Sequence, residues 1–427
     1  MIVDFTIQNF RSIKDEAILS LTTSNTLSSS KVVSVTEETT QIIEISDENF
    51  DLLNSAVVYG ANASGKSNII LAILYLKQFI INSTDIKLGH NIPFYEPFCL
   101  DTFCSIEPTI FEIEFIINIK RYLYKIEFNG KIVVYESLIL NEKNKEVVLF
   151  ERKLQKITFD KKLKGKKANL VEQLLENNLF LTKGANNNIP ILKEVYLYFL
   201  NNITVEFNVS TDDNFLKNIL IQTNIITLNE ENLNINKSRI EKFLKSADTG
   251  ISEVDFRKVY VNDNITNKVK FEPILYHKLF ENEKFIGNVE FKLNQESKGT
   301  IKMFDLALMV LDVLENGKIL VIDELDTSFH PLLTEYIINL FNDKNFNKNN
   351  SQLIFTTHET SLLNLINFRE DQIWFMEKNK FGNSVMFSLA EFDSKDVQNA
   401  ISLQNWYLNG RFGGLPSIDK LELYEVQ

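Results

Sequence analysis

Apolar and polar positions near the amino terminus predict a strand, a glycine loop and a helix. The opening MIVDFTIQNF alternates in the manner of a half-buried strand, and SAVVY at residues 55–59 predicts a second strand. SNIILAILYLKQFII at residues 67–81 has its apolar residues at helical spacing. The glycine-bounded loop between the second strand and the helix therefore has the setting of a phosphate-binding loop.

The middle of the chain changes pattern twice. Residues 109–140 alternate repeatedly, with turn signals at Asn118 and Asn129, which predicts an antiparallel meander of three strands. Residues 141–270 are rich in Lys, Asn and Glu and contain helical stretches such as NLVEQLLENNLF and SRIEKFLKSA. We therefore predict an amino-terminal lobe at residues 1–140 and a mainly helical insertion at residues 141–270.

Apolar segments return from residue 298 onwards and predict a second lobe at residues 271–427. TIKMFDLALMVLDVLENGK predicts a buried helix that ends at Gly317. KILVIDEL and SQLIFTTHE are runs typical of strands buried on both faces, and WFMEKNKFGNSVMFSL predicts a hairpin. We expect the two lobes to combine into one α/β core around the insertion.

Composition and charge narrow the class of protein. The chain has 427 residues, of which 44% are hydrophobic and 24% charged, as in folded soluble proteins. A net charge of −12 argues against a surface built throughout for nucleic acid. The basic run KKLKGKK at residues 161–167 is either a phosphate contact or a solvated turn. No signal peptide or membrane-spanning stretch is evident, so we expect a cytoplasmic protein with no membrane partner.

The loop itself reads GANASGKS and fits the pattern G-x-x-x-x-G-K-[ST]. Its glycines let backbone N–H groups surround phosphates, its lysine neutralises the β- and γ-phosphates, and its last hydroxyl binds magnesium. We therefore predict ATP and Mg2+ as cofactors. The predicted nucleotide-binding residues of this segment are Gly60, Ala61, Asn62, Ala63, Ser64, Gly65, Lys66, Ser67 and Asn68.

An acidic pair ends the buried run KILVIDEL and supplies the second half of a hydrolytic site. We predict that Asp323 binds magnesium together with Ser67, and that Glu324 polarises the attacking water. An acidic pair after a strand also serves as a helix cap. Its combination with the phosphate loop favours the hydrolytic interpretation.

The chain also has an S-x-G-T string at residues 297–300 and a strand that ends at His358. Together with the phosphate loop and the acidic pair, these motifs resemble those of the ABC-class ATPases. The phosphate loop and the acidic pair are further apart in sequence than in a compact transporter domain. The resemblance is therefore to members with insertions between the halves, such as SMC, RecF and OLD-family proteins. It implies an α/β ABC-type head, with a mixed P-loop sheet, an antiparallel β-subdomain and a helical insertion.

Several longer strings are similar to those of bacterial ATPases of the RloA and AriA type. They are VYGANASGKSN, ESKGT, VIDELDTSFHP, FTTHE, REDQIWFMEK and YLNGRFGGLP. The last string includes Arg411, for which no chemistry follows from the sequence. The opening FTIQNFRSI resembles the first strand of the SMC, RecF and OLD group, which implies that Arg11 lies near the nucleotide. No Q-loop residue is assigned.

In ABC-class ATPases two heads enclose two ATP molecules, and the signature helix of one head faces the γ-phosphate held by the other, as suits a helix N-terminus. The resemblance implies that His358 contacts the γ-phosphate and acts with Glu324 in catalysis. The residues it implies for the contact across the dimer are Ser297, Gly299, Thr300 and Asp326. ESKGT lacks the second glycine and the glutamine of the transporter signature, and it also fits a plain helix cap. Asp326 and His358 likewise have plain alternatives, a capping aspartate and an incidental polar residue.

The function implied by the resemblance is that of an ATPase that dimerises head to head around ATP. We expect a sensor or scaffold subunit of an anti-phage defence system, because RloA- and AriA-type ATPases occur beside effector genes. The effector, a nuclease or toxin, is expected to be a separate protein because the sequence ends at Gln427. The alternative is a RecF- or SMC-like ATPase that binds DNA in repair or chromosome maintenance.

Overall fold

A computed structural model describes most of the chain, namely residues 1–24, 42–43, 45, 50–142, 145–207, 230–247, 249–263, 266–327, 329–393, 397 and 402–414. The strands are β1 (Ile2–Gln8), β2 (Ala17–Ser20), β3 (Ile42–Ile43), β4 (Leu52–Leu53), β5 (Ser55–Gly60), β6 (Thr109–Ile117), β7 (Lys120–Phe128), β8 (Val133–Glu142), β9 (Lys145–Lys153), β10 (Lys156–Phe159), β11 (Ile203–Glu206), β12 (Ile251–Asp263), β13 (Thr266–Glu281), β14 (Lys284–Lys292), β15 (Ile319–Ile322), β16 (Gln352–Thr356), β17 (Ile373–Lys378) and β18 (Ser384–Ser388). The helices are α1 (Lys66–Asn82), α2 (Ala168–Glu172), α3 (Phe180–Asn186), α4 (Pro190–Asn202), α5 (Glu230–Ser246), α6 (Lys298–Asn316), α7 (Pro331–Asn342) and α8 (Leu403–Leu408). In this part of the chain, no helix combines the length and apolar content needed to cross a bilayer.

A mixed sheet places the predicted phosphate loop and acidic pair at one edge. Its strand order is β11-β15-β16-β5-β17-β18, and every pairing is parallel except β17 with β18. Strands β5, β15 and β16 are buried at every residue, as their uninterrupted apolar runs predict. Because parallel strands end at the same edge, the residues that follow β5, β15 and β16 meet there.

An antiparallel sheet forms the second layer, with strand order β10-β9-β8-β7-β6-β1-β2. The predicted three-strand meander is confirmed as β6, β7 and β8, and β1 pairs with β6. Burial alternates along β6, so one face of this sheet points into the core. The predicted combination of a mixed P-loop sheet with an antiparallel β-sheet is therefore confirmed.

Helix α1 lies between the two sheets, and its residues 69–80 are all buried. Ala56 and Val58 of β5 face the α1 side of the mixed sheet, whereas Val57 and Tyr59 face the side covered by α6 and α7. The layers are therefore antiparallel sheet, α1, mixed sheet, and α6 with α7. Helix α6 ends at Gly317 in the left-handed conformation (φ 61°), as predicted.

The prediction of a mainly helical insertion at residues 141–270 is wrong in content. This region contains α2 to α5, but it also contains β9, β10, β11, β12 and the start of β13. Strands β9 and β10 extend the meander, and β12, β13 and β14 form a separate antiparallel sheet. The stretch SRIEKFLKS does lie in α5 and NLVE in α2, but most charged residues of β9 and β10 lie on exposed strand faces, where side chains alternate between core and solvent. The boundaries of the three predicted units remain a prediction.

A fully buried ion pair joins the antiparallel sheet to α3. Glu136 and Arg152 have no exposed side-chain surface, and Arg152 Nη1 lies 3.5 Å from Glu136 Oε2. The same carboxylate accepts hydrogen bonds from the Phe180 N–H at 2.7 Å and the Leu181 N–H at 2.9 Å. Glu136 therefore satisfies the first amides of α3 as well as the guanidinium.

We expect Glu136→Ala to lower the free energy of unfolding by about 3–5 kcal/mol, because it leaves a buried guanidinium without its counter-charge and two helix amides without their acceptor. Chemical denaturation of the variant and the parent measures this difference. The matched control is Glu151→Ala on neighbouring β9, whose partly exposed pair with Lys153 should contribute less than about 1 kcal/mol. Equal effects of the two substitutions would contradict the structural role of the buried pair.

Candidate nucleotide-binding site

The loop between β5 and α1 has the backbone that its glycines predict. Gly65 has φ 107°, and Ala63 is also left-handed with φ 61°. A Cβ on Gly65 would lie 2.5 Å from Ser384 Oγ and 2.7 Å from Ser12 Oγ, and one on Gly60 would collide with the Met376 carbonyl oxygen. Both glycines are therefore required by their surroundings as well as by the loop conformation.

Lys66 is folded back over its own loop. Its Nζ donates to Gly60 O at 2.7 Å and to Ala61 O at 3.0 Å, and only 5% of the residue is exposed. Burial lowers the pKa of this amine to about 8, against the opposing effect of the carboxylates of Asp323 and Glu324. A buried cation with carbonyl partners can exchange them for phosphate oxygens.

The surrounding groups fit a phosphate. Helix α1 begins directly after Gly65, and no side chain among the described residues caps its N-terminus. Ser64 Oγ is buried and has no hydrogen-bond partner in the described part of the chain. Uncapped amides, a spare hydroxyl and an ammonium group are the donor set that binds an anion at a helix N-terminus.

Thr356, at the end of β16, organises the acidic pair and was not predicted. Its hydroxyl donates to Asp323 Oδ1 at 2.7 Å and accepts from the Glu324 N–H at 2.7 Å. The Ser67 hydroxyl is also hydrogen-bonded to Asp323, and burial raises the pKa of this aspartate against both hydrogen bonds. Ser67 and Asp323 thus lie together as predicted for a magnesium site.

These two oxygen ligands alone do not make a metal cage. Among the described residues, no group of three or more His, Cys, Asp and Glu side chains is placed to bind a metal ion. Magnesium characteristically binds one or two protein oxygens together with substrate phosphates and water. The ligands at this sheet edge fit that mode of binding.

The predicted catalytic residues lie side by side. Glu324 Oε1 is 3.8 Å from His358 Nε2, and the two side chains are 36% and 38% exposed. Glu324 has φ 53°, a strained conformation for a residue with a Cβ, and Thr327 Oγ1 donates to its Oε2 at 3.0 Å. The His358 N–H approaches both carboxylate oxygens of Asp326 at 3.4 Å. The structure therefore brings together the acidic pair, Asp326 and His358.

Arg11 and Asn68 lie beside the loop but are engaged with protein groups. Arg11 Nε is 3.0 Å from Glu96 Oε2, and the Arg11 N–H donates to Glu96 O at 2.7 Å. Asn68 Nδ2 donates to Ser12 Oγ at 2.7 Å. Asn62 and Ala63 form the exposed tip of the loop. The predicted contacts of these residues with a nucleotide remain predictions.

The predicted signature residues form the exposed start of α6. Ser297 caps the helix, since its Oγ accepts from the Thr300 N–H at 3.1 Å. Gly299 lies between them in the first turn. One turn further, Lys302 Nζ donates to Thr327 O at 2.9 Å, beside a cavity of about 390 Å3 that Glu324 also lines. The capping interpretation is thereby confirmed, whereas the contact across a dimer remains a prediction.

The GRFGG segment packs beside the phosphate loop. A Cβ on Gly414 would lie 3.7 Å from Gly60 Cα, and Tyr407 OH donates to Gly414 O at 3.1 Å. Arg411 stacks over the Trp406 ring at 4.5 Å. Ser328 of VIDELDTSFHP, and Leu415 and Pro416 of the closing string, lie outside the described residues.

The comparison with protein families agrees with this geometry. The profile of a family described as "AAA domain, putative AbiEii toxin, Type IV TA system" matches residues 55–364. That span includes the phosphate loop, the acidic pair and His358. The chain belongs to this family of AAA-domain P-loop ATPases.

Solved structures similar to this ATPase include SMC heads at low sequence identity. The SMC head domain from Thermotoga maritima is 14% identical with a TM-score of 0.36, over 91% of this chain and 98% of that one. An Smc head bound to the C-terminal domain of ScpA from Pyrococcus furiosus is 14% identical with a TM-score of 0.42, over 93% and 97%. An SmcHead bound to the C-winged helix domain of ScpA is 12% identical with a TM-score of 0.41, over 93% and 99%. No curated protein matches the sequence.

We expect the affinity of the ATPase for ATP to be constant below about pH 8 and to fall above it. The free site holds Lys66 with a pKa of about 8, and nearby phosphates raise the pKa of a bound ammonium group. Above pH 8 binding must therefore take up a proton, which costs up to about tenfold in affinity per pH unit. Titration of Mg-ATP binding between pH 6.5 and about 9.5 measures this dependence.

Lys66→Arg is the matched control for this titration. A guanidinium stays charged across the whole range, so the variant should show an affinity that does not change with pH, whatever its absolute value. A parent protein whose affinity is as flat as that of the variant would contradict the assignment of Lys66 as the titrating group.

Proposed function

We propose that the protein is the ATP-dependent sensor or scaffold subunit of an anti-phage defence system. Two copies close head to head around ATP, and this closure controls a separately encoded effector, a nuclease or toxin. The observation that carries the proposal is the exposure of the two predicted catalytic side chains, since Glu324 and His358 are each more than a third exposed to solvent. Hydrolysis uses one positioned water molecule, so another surface must cover this edge of the sheet and exclude bulk water.

A second copy has a suitable surface for that cover. Ser297, the N-cap of α6, is exposed, and Gly299 in the first turn is half-buried. An exposed helix N-terminus carries partial positive charge and suits the γ-phosphate held by the other copy. Each copy would then complete the site of its partner, with Asp326 beside the contact.

The chemistry of each site follows from its own residues. Lys66 would leave the carbonyls of Gly60 and Ala61 and donate to the β- and γ-phosphates. Magnesium, held by Ser67 and Asp323, supplies charge neutralisation at these phosphates when it is bound. Glu324 would accept the proton of the attacking water at its carboxylate, while Thr327 holds the other carboxylate oxygen in place. His358 would donate to the γ-phosphate from the position beside Glu324.

The defence role is supported by family membership and by sequence resemblance. The family description names a toxin of a toxin–antitoxin system, and the strings around the site are similar to those of RloA- and AriA-type ATPases. The DNA-binding alternative is less well supported, because the net charge is −12. In the basic run at residues 161–167, Lys161, Lys162, Lys164 and Lys166 are exposed, and Gly165 has φ 128°.

We expect Glu324→Gln to form a stable dimer in Mg-ATP and a monomer without nucleotide, because ATP is bound but not hydrolysed. Mass measurement of the variant with and without Mg-ATP tests this expectation. Adding Ser297→Arg to Glu324→Gln should abolish the dimer by placing a bulky side chain at the contact. The control is the addition of Thr158→Arg, which introduces the same charge on exposed β10 and should preserve it. A mass unaffected by nucleotide would contradict the closed dimer.

The effector is tested by expressing the Glu324→Gln protein together with the product of its neighbouring gene. A nucleotide-dependent mass that includes the neighbour supports the scaffold role. An ATP-induced dimer that excludes the neighbour and instead binds duplex DNA, more weakly as salt increases, would favour the DNA-acting alternative.

A further inference from the structure

Two serines distant in sequence meet on the phosphate loop. Ser12 belongs to the turn between β1 and β2, and Ser384 is the first residue of β18. Their hydroxyl oxygens are 2.7 Å apart, although the residues are separated by 372 positions. Neither residue belongs to the phosphate-loop motif.

Each of the two hydroxyls is also hydrogen-bonded to the phosphate-loop segment. Ser384 Oγ donates to Ser64 O at 2.6 Å, and Ser12 Oγ accepts from Asn68 Nδ2 at 2.7 Å. The result is one hydrogen-bonded chain that runs from Asn68, in the first turn of α1, through both serines to the Ser64 carbonyl. Ser384 and Ser64 are buried, with 3% and 2% exposure, so the end of the chain at the loop is shielded from water.

The two segments that carry the serines are fixed to each other independently of the loop. The Ser384 N–H donates to Ser12 O at 2.7 Å, and the Lys14 N–H donates to Asn383 Oδ1 at 2.9 Å. Asn383 Nδ2 in turn donates to Asp15 Oδ2 at 2.7 Å. The hydroxyls are therefore presented by a rigid frame, which is what a positioning contact requires.

The Ser64 carbonyl controls a neighbouring phosphate donor. The peptide bond is planar and trans, so the Ser64 carbonyl and the Gly65 N–H point in opposite directions. A carbonyl held towards Ser384 therefore aims the Gly65 N–H to the other side of the backbone. In a phosphate loop the amides of this segment bind the α- and β-phosphates. Gly65 has no Cβ and can adopt positive or negative φ, so outside contacts are needed to hold this peptide in one orientation.

We infer that Ser12 and Ser384 are positioning residues for nucleotide binding, which hold the Ser64–Gly65 peptide with its N–H directed at the phosphates. The inference rests on the proposed binding of ATP by this loop. The serines act through the loop backbone and touch no reacting atom. Loss of the chain should therefore weaken nucleotide affinity while the chemical step at Glu324 is retained.

Ser384→Ala in the full-length protein should weaken the Kd for both ATP and ADP by about five- to tenfold, the loss expected for one buried hydrogen bond. Its kcat at saturating ATP should stay within about twofold of the parent. Ser384→Thr, which retains the hydroxyl, should restore most of the affinity. The matched control is Ser388→Ala, a buried serine on the same strand whose hydroxyl bonds to Ile373 O, and its Kd should equal that of the parent.

A double-mutant cycle separates a connected chain from two independent contacts. Asn68→Ala and Ser384→Ala together should weaken the Kd by less than the product of the single effects, because each breaks the same chain. Ser12→Ala, in a half-buried turn, supplies a second variant should Ser384→Ala fail to fold, and it should weaken ATP and ADP binding in the same manner.

Unaltered affinity in Ser384→Ala and Ser12→Ala would overturn the inference, and so would equal weakening in Ser388→Ala. A parent protein that binds no ATP would instead overturn the proposed nucleotide site, so the two failures are distinguishable. A loss of kcat with unaltered Kd would contradict a positioning role at the phosphates and place the serines in the chemical step.

Discussion

The insertion of β16 between β5 and β15 is the constraint on which the rest of the site depends. Parallel pairing aligns Thr356 with Val58 of the strand before the phosphate loop, and Phe355 with Ile322 of the strand before the acidic pair. The ends of all three strands are therefore level at one edge of the sheet. Because these strands are buried on both faces, a slip of one residue would move every side chain to the opposite face and disrupt its packing there. The Thr356 hydroxyl then fixes the carboxylate of Asp323 and the backbone N–H of Glu324 at this edge.

The same edge concentrates groups that are unfavourable to bury. Lys66 and Asp323 are each about 5% exposed, and burial disfavours the charged form of both. The free-energy cost of burying these two charges is limited by hydrogen bonds. Loop carbonyls accept from the Lys66 ammonium group, and the hydroxyls of Thr356 and Ser67 donate to the Asp323 carboxylate. These partners are weaker than a polyphosphate with its metal ion. Free energy gained when phosphates and magnesium replace these partners would therefore be available for the proposed closure of two copies over the site.

The parts of the site that sequence predicts are those encoded in short contiguous strings. The phosphate loop and the acidic pair each follow a buried strand and were predicted from local pattern, whereas His358 was predicted from the family resemblance. Thr356, Ser12 and Ser384 were missed because small hydroxyl residues are common and their roles arise from contacts between distant segments. Strands β9 and β12 were missed for a different reason. Charged residues on the exposed face of a strand give a composition that is also typical of a solvated helix, and neither pattern is strong in a segment rich in Lys and Asn.

Contacts at the phosphate loop explain why the two ends of the chain must meet before the nucleotide site exists. The loop is contacted by Ser12 from the first turn of the chain, by Ser384 from the last hairpin, and by Gly414 beyond it. A glycine-rich loop has little conformational preference of its own, so neighbouring segments must select its working shape. A movement of the β17–β18 hairpin relative to the β1–β2 turn would consequently alter the Ser64–Gly65 peptide. If the two serines position the loop as inferred, nucleotide binding and the packing of this hairpin against the β1–β2 turn would be coupled.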